Sequence, residues 1–348
     1  MRKGRFGLGV AILLVTATVV AAAAGAASQH STKAPPKITI GFLQILGASP
    51  AAQRNETQFK RAAKLLGWTV NVVDAQGDPA KMASGIQSFV TQKVNAIVAI
   101  AVAPAAAQQA LTAAKAAGIP AISIAGPNPD PNHLYAANIA PNDSALGAIS
   151  AQHLCDTLGG GAKIVAQYFP PLGALARRDT VAKAVFGLCG VKVVASHVVD
   201  FANAVADATK STLDMLRAHP DATGVWADQD FEFAAAVNAI NQLGRAKTVK
   251  VYGFLAGAET LATLRKGLPA ASLADAAYNN CPWLAADQLL QYFGNHKPID
   301  PNAQYDIVPI QEVLITGTNV PKTGDEYPYP DPAKFFVPRW KALGYSLK

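Results

Sequence analysis

Reactive groups are sparse in this chain. It carries three cysteines and six histidines in 348 residues, and only 15% of its residues are charged. The histidines (His30, His133, His153, His197, His219 and His296) are scattered. His153 and Cys155 are two apart, a spacing that does not put both on one helical face, so no metal site is expected. There is no Walker phosphate loop and no G-x-S-x-G elbow. Gly159-Gly160-Gly161 comes before a strand-like run, whereas a dinucleotide fingerprint must follow one, so it reads as a turn. An enzyme should show a converging set of reactive groups. None is visible, and the chain is expected to be a non-enzyme without a cofactor. Asp228-Gln229-Asp230 leaves two readings open: paired carboxylates for acid–base or metal chemistry, or a helix cap with ligand contacts.

Basic clusters interleaved with aromatics are also missing, and aromatics make up 7% of the chain. That removes nucleic acid as a partner. No long charge block or low-complexity tract occurs, and 51% of the residues are hydrophobic, a globular composition. Three of the 30 basic residues, Arg2, Lys3 and Arg5, stand at the N-terminus; without them 27 bases face 23 acids, a net charge of about +4 that bears on solubility.

Those three cations precede an apolar stretch, Leu8–Ala24, broken only by Thr16 and Thr18, and Ala24-Gly25-Ala26 supplies a small-residue cleavage pattern. Residues 1–27 are therefore read as a secretory signal peptide, with a retained membrane anchor as the alternative. No cysteine lies near the junction to carry a lipid. A periplasmic or extracellular location follows, and export permits disulfides. Cys155 falls late in one predicted helix and Cys189 at the end of another. A Cys155–Cys189 bridge is expected; the alternative is three small buried hydrophobes, Cys281 included.

What the chain has in abundance is alternation of apolar runs with amphipathic helices. Ile38–Leu43, Thr69–Val73, Asn95–Ile100 and Pro120–Ala125 read as strands. Between them lie helices near Ala51–Leu66, from Pro79 behind the capping Asp78, and near Ala105–Ala117. This pattern implies a parallel sheet covered on both faces, with ligands beyond the carboxyl ends of the strands. After Leu134–Ile139 and a helix running to Leu158, a second series begins. Its strands are expected at Ala162–Tyr168, Val191–Ala195, Gly224–Ala227, Val249–Phe254 and Ala270–Ala274, and Tyr305–Ile315 alternates like a strand. The fold expected is α/β, two similar Rossmann-like lobes, each a parallel sheet with helices on both faces. A short terminal helix, Ala333–Leu343, is expected to dock through Phe335, Phe336 and Trp340.

Several stretches carry a family likeness. Asp74-Ala75-Gln76-Gly77-Asp78-Pro79-Ala80-Lys81, Val94-Asn95-Ala96-Ile97-Val98 and Ala117-Gly118-Ile119-Pro120-Ala121-Ile122-Ser123 resemble type I periplasmic solute-binding proteins, the ribose-binding-protein-like receptors of ABC importers. Gly160–Val165, Ala218-His219-Pro220-Asp221, Val225–Asp230 and Val251-Tyr252-Gly253-Phe254 continue the resemblance in the same order, over roughly Lys37–Thr318. It implies a three-strand hinge between lobe one (37–139 plus 276–304) and lobe two (140–275 plus 305–318), with 319–348 as a C-terminal extension. The implied protein is a monomeric receptor that closes on a small-molecule ligand and meets an ABC permease; the alternative is a ligand sensor for a membrane kinase or chemoreceptor.

The resemblance also implies a site. Arg178 matches the Arg at the start of lobe two's first helix, and Phe201 matches its aromatic after the second strand. The family's Asn falls at Gln229 and its Gln at Asp275. With Gln44, Ser49, Asp230 and Leu255, these form the expected ligand-binding set. Departures are marked. The Asn-Asn-Pro-Phe-Phe loop is Ala48-Ser49-Pro50-Ala51-Ala52, the Asp-Arg pair is Ala125-Gly126, and an Asp is Leu255. Loss of charged hydrogen-bonders, each contributing roughly 1.5–3 kcal/mol, implies a ligand larger or less hydroxylated than ribose, with Arg178 suited to a carboxylate or polar oxygen; the alternatives are an ordinary sugar reached with a different contact set and a non-sugar ligand such as an organic or aromatic acid. Tyr168, Phe169 and Phe231 are candidate replacement walls.

Overall fold

The computed structural model describes residues 32–126, 129–170, 172–200, 203–308 and 310–348. The leader expected at 1–27 and the side chain of Phe201 lie outside the described residues. Five strands form the first sheet: β1 (Thr39–Gln44), β2 (Thr69–Asp74), β3 (Ala96–Ile100), β4 (Ala121–Ile124) and β5 (Ala137–Ile139). Their order is β2-β1-β3-β4-β5, every pair parallel. All five residues of β3 are buried, as expected of a strand with both faces covered by helices.

The covering helices are bounded by local signals. α1 (Pro50–Leu66) opens on a proline, whose missing N–H costs nothing there, and stops at Gly67, which takes the left-handed conformation (φ 70°). α2 (Pro79–Thr91) is capped by Asp78, whose carboxylate accepts from the Ala80 N–H at 2.8 Å. A 3₁₀ turn, Pro104–Ala107, leads into α3 (Gln108–Ala116).

The chain then crosses into a second sheet through α4 (Asp143–Leu158). Its elements are β6 (Lys163–Tyr168), α5 (Gly173–Cys189), β7 (Lys192–Val198), α6 (Ala204–Ala218), β8 (Gly224–Ala227), α7 (Asp230–Gln242), β9 (Lys250–Phe254), α8 (Ala258–Lys266) and β10 (Ala270–Ala276). α9 (Asn280–Asn295) returns to pack on α1, β4 and β5. α10 (Ala303–Asp306) and β11 (Glu312–Thr316) follow, and β11 pairs antiparallel with β10. The order is β11-β10-β9-β8-β6-β7. The expected strand over Tyr305–Ile315 is corrected here. Only its last part is extended, because residues 303–306 form the short helix in the crossing between the lobes.

The crossings are tied to one another. The Ala140 N–H donates to Gln304 Oε1 at 2.7 Å, the Asn142 N–H to Glu312 Oε1 at 2.8 Å, and the Ala277 N–H to the Gln311 carbonyl at 2.9 Å. Cys155 and Cys189 are bonded, with Cα atoms 6.1 Å apart, and Cys281 is a buried free thiol. The chain crosses once more after β11. α11 (Pro332–Ala342) packs on α9, stacking Trp340 against Trp283 at a centroid distance of 5.5 Å. Asp287 Oδ1 accepts from both Trp340 Nε1 and Arg339 Nε at 2.9 Å. Phe336 and Trp340 are fully buried, whereas Phe335, expected to dock with them, is 41% exposed and sets its ring edge-on against Phe336 at 5.0 Å. No helix among the described residues is long and apolar enough to cross a membrane.

Candidate ligand-binding site

A cavity of about 70 Å³ lies between the two sheets. Its walls come from the loops that follow strands: Ile45 and Leu46 after β1, Ala101 after β3, Ala125 and Gly126 after β4, Leu172 and Gly173 after β6, Gln229 after β8 and Leu255 after β9. Both sheets therefore point their carboxyl ends at one space, the location in which open α/β sheets hold ligands. Ala101 (φ 53°), Ala125 (φ 58°) and Leu255 (φ 65°) are each the first residue after a strand, and each is in the left-handed region. That conformation costs a non-glycine residue roughly 1–3 kcal/mol and concentrates at ligand sites.

Arg178 is the polar centre. Buried positions on α5 run Leu175, Arg178, Asp179, Ala182 and Phe186, the spacing of a core-facing stripe. Arg178 thus occupies a place that packing alone would give to an apolar side chain. It is 2% exposed, and three of its N–H groups are engaged by neighbours. Nε donates to Asp143 Oδ1 at 2.8 Å, Nη1 to the Asp228 carbonyl at 2.9 Å and Nη2 to the Tyr278 hydroxyl at 2.7 Å. The guanidinium lies over the Phe254 ring at 4.7 Å. Burial works against its charge, but Tyr278, Asp143 and Asp228 outweigh that and raise its pKa. Burial likewise raises the Asp143 carboxyl above its ordinary value, and Arg178 offsets only part of that.

Asp143 reaches Arg178 because α4 and α5 pack closely. A Cβ on Gly147 would stand 2.5 Å from the Arg178 carbonyl oxygen and 2.7 Å from its Cα, so only glycine permits this approach. Behind the arginine sits a cluster of carboxylates. Trp226 Nε1 donates to Asp179 Oδ1 at 2.9 Å, and Glu232 Oε2 accepts from the Asp228 N–H at 2.9 Å and the Gln229 N–H at 3.2 Å. Burial, then the neighbouring Asp228, pushes Asp179 up to about 9. Burial pushes Glu232 up to about 7 and Asp228 well above its ordinary value. Of the two readings left open for Asp228-Gln229-Asp230, the geometry favours the cap and contact arrangement, with Glu232 closing the turn. No metal-competent group of three or more His, Cys, Asp or Glu exists among the described residues.

The structure brings together Ser49, Arg178, Gln229 and Leu255 of the expected set around the cavity. Gln44, Asp230 and Asp275 do not line it. Gln44 is turned toward Glu56, to which its side chain donates. Asp230 opens on a second hollow at the rim, beside Arg54. Asp275 is buried in β10, 3.9 Å from Arg54 Nη2. Of the candidate walls, Phe231 lines the cavity, Phe169 lines an adjoining one, and Tyr168 is buried beneath Lys183, whose Nζ lies 4.0 Å from its ring centroid. Two polar lining residues were not foreseen. Asn55 is 1% exposed; its Nδ2 donates to the Ala51 carbonyl, and its Oδ1 has no partner among the described residues. An asparagine at a core-facing helix position was the available signal. Tyr278 comes from the crossing after β10.

Two lobes, a shared cavity at the strand ends and tied crossings agree with the comparison of the chain with known proteins. The model of the periplasmic binding protein domain matches residues 40–296. The chain belongs to this family. It is 28% identical over 233 residues to the ribose import binding protein of Bacillus subtilis, covering 66% of this chain and 73% of that one. It is 28% identical over 174 residues to the xylitol-binding protein of Mycolicibacterium smegmatis, 49% of each chain. Among solved structures, the 5-methylthioribose transporter solute-binding protein from Thermotoga lettingae superposes with a TM-score of 0.74 at 21% identity, covering 89% of this chain and 94% of that one. The periplasmic binding protein family supplies the fold, two parallel-sheet α/β lobes, and its matched relatives are binding components of transport rather than enzymes.

Proposed function

We propose that this protein is an exported receptor that captures a neutral sugar or polyol between its lobes and presents it to an ABC permease. The observation that carries the reading is the pairing of Arg178, which lines the cavity, with the buried Asp143 behind it at 2.8 Å. A carboxylate ligand would meet an arginine whose charge is already balanced and a second buried anion beside it. Burying an unpaired charge is expensive, so the organic-acid alternative is disfavoured. Hydroxyl groups fit better. Among the described residues Arg178 commits three of its five N–H groups, Asn55 Oδ1 stands ready to accept, and the Tyr278 hydroxyl, which accepts from Arg178, can still donate. The wide first loop of small residues (Ser49, Ala51, Ala52) replaces an aromatic pair, and Phe231 supplies apolar surface from the other lobe.

Capture works by population shift. Ligand contacts from both lobes exist only when the lobes are together, so only the closed form gains free energy from the ligand. Arg54 of α1 already spans the cleft, donating from Nη1 to the Ala256 carbonyl at 2.9 Å. The reading is tested by thermal unfolding of the protein against neutral sugars and polyols beside their corresponding acids, such as ribose beside ribonate. A ligand specific to the native state raises stability by about 2.7 kcal/mol at a hundred times its dissociation constant. Shifts with neutral members and none with acids support the proposal; shifts confined to acids would reverse it.

A further inference from the structure

The ligand cavity does not end at Leu172. A second cavity of about 110 Å³ adjoins it, sharing Ile45 and Leu172 as common wall. Gly77, Pro79 and Met82 at the start of α2, Ala103 just before the 3₁₀ turn, Ala106 within it and Phe169 of the second lobe complete it. None of its lining side chains carries a nitrogen or oxygen atom. The polar groups of the first cavity (Asn55, Arg178, Gln229 and Tyr278) do not line the second. The combined space is amphiphilic, with hydrogen-bonding groups confined to one part and hydrocarbon to the other.

We infer that the ligand is a sugar or polyol carrying an apolar substituent, such as a deoxy, alkyl or alkylthio group, which enters the space between Ile45, Met82, Phe169 and Leu172. The inference rests on the neutral sugar or polyol reading and narrows it. A hydroxyl placed in the second cavity would surrender its water for walls that offer no side-chain hydrogen bond in return. A methyl or methylthio group loses nothing there and gains burial, roughly fourfold in affinity per methylene-sized group. Because the two lobes both contribute walls, the substituent also favours the closed form, which ties selectivity to closure.

The test is calorimetric titration of the protein with neutral sugars in matched pairs, D-ribose beside 5-methylthio-D-ribose and D-galactose beside D-fucose, extended to polyols and their deoxy counterparts. The apolar member of at least one pair is expected to bind about tenfold more tightly than its parent. Ala106→Phe fills the second cavity and should bring that ratio to about one. Ala103→Leu does the same more gently and stands in should the first variant fail to show a cooperative melt. Parents that bind as well as or better than their apolar partners overturn this inference and leave the sugar reading standing. A preference that survives both substitutions overturns the assigned location. If no member of any pair binds, the neutral sugar or polyol reading falls, and this inference with it.

Discussion

Arg178 Nε donates to Asp143 Oδ1 at 2.8 Å, and both side chains are almost wholly removed from water. A buried pair of this kind adds little net stability against a well-packed apolar alternative, yet removing one partner strands the other's charge. Asp143→Ala is therefore expected to destabilise the protein by about 3–5 kcal/mol, measured by urea denaturation. The same variant should gain affinity for acids relative to neutral sugars, because Arg178 loses its balancing charge. A loss below about 1 kcal/mol would mean that the pair behaves like a solvent-exposed one.

Gly147 holds these two helices at the distance the pair requires. Gly147→Ala inserts a methyl group 2.5 Å from a backbone oxygen that has no freedom to rotate away. The expected cost is about 1–3 kcal/mol, with a parallel loss of ligand affinity as Arg178 is displaced. Gly187→Ala, on α5, meets nothing within 4 Å and should show neither effect. Paired denaturation and titration of the two variants check this.

The carboxylates behind Arg178 predict a pH dependence. In the folded protein Asp179 is pushed up to about 9 and Glu232 to about 7, whereas unfolded they titrate near 3.8 and 4.5. Between those limits the folded state keeps protons that the unfolded state has released. Stability is therefore greatest below about pH 3.8 as far as these groups are concerned, and it declines as pH rises toward 9. The cations facing the cluster are Arg178 and Lys183, and the Trp226 N–H is its neutral donor. Melting temperature should fall between pH 5 and 9, and Asp179→Asn should flatten the upper part of that slope. A rise over the same range would show that the cluster is ionised in the folded protein.

The Cys155–Cys189 bridge closes a loop of sequence separation 34. Cross-linking a loop of that length restricts the unfolded chain by about 3–4 kcal/mol. Cys155→Ser with Cys189→Ser should lower stability by that order, and titration of the denatured, unreduced protein should find one free thiol, Cys281. Three free thiols would remove the bridge.

The α/β alternation was legible in the chain because parallel strands buried on both faces must be continuous apolar runs, and β3 is one. The starts and stops of helices were legible for a similar local reason, as Asp78, Pro79 and Gly67 act on backbone groups within a few residues of themselves. Where alternation was misleading, at Tyr305–Ile315, the chain serves as a crossing between lobes, and crossing geometry has no period.

By itself, then, the sequence determined the two series of strands and helices and their loops, since each depends on neighbours a turn or a pleat away. Only the tertiary structure decided what Arg178 meets. Asp143 is 35 residues distant and Tyr278 100, and they arrive through the packing of α4 on α5 and the crossing after β10. It also decided that Ala101, Ala125 and Leu255 turn left-handed at the strand ends, residue types that give no local sign of doing so. The balance of charge in the cleft, and hence the kind of ligand it favours, is a property of those long-range contacts, because electrostatic partners are chosen by distance in space and not along the chain.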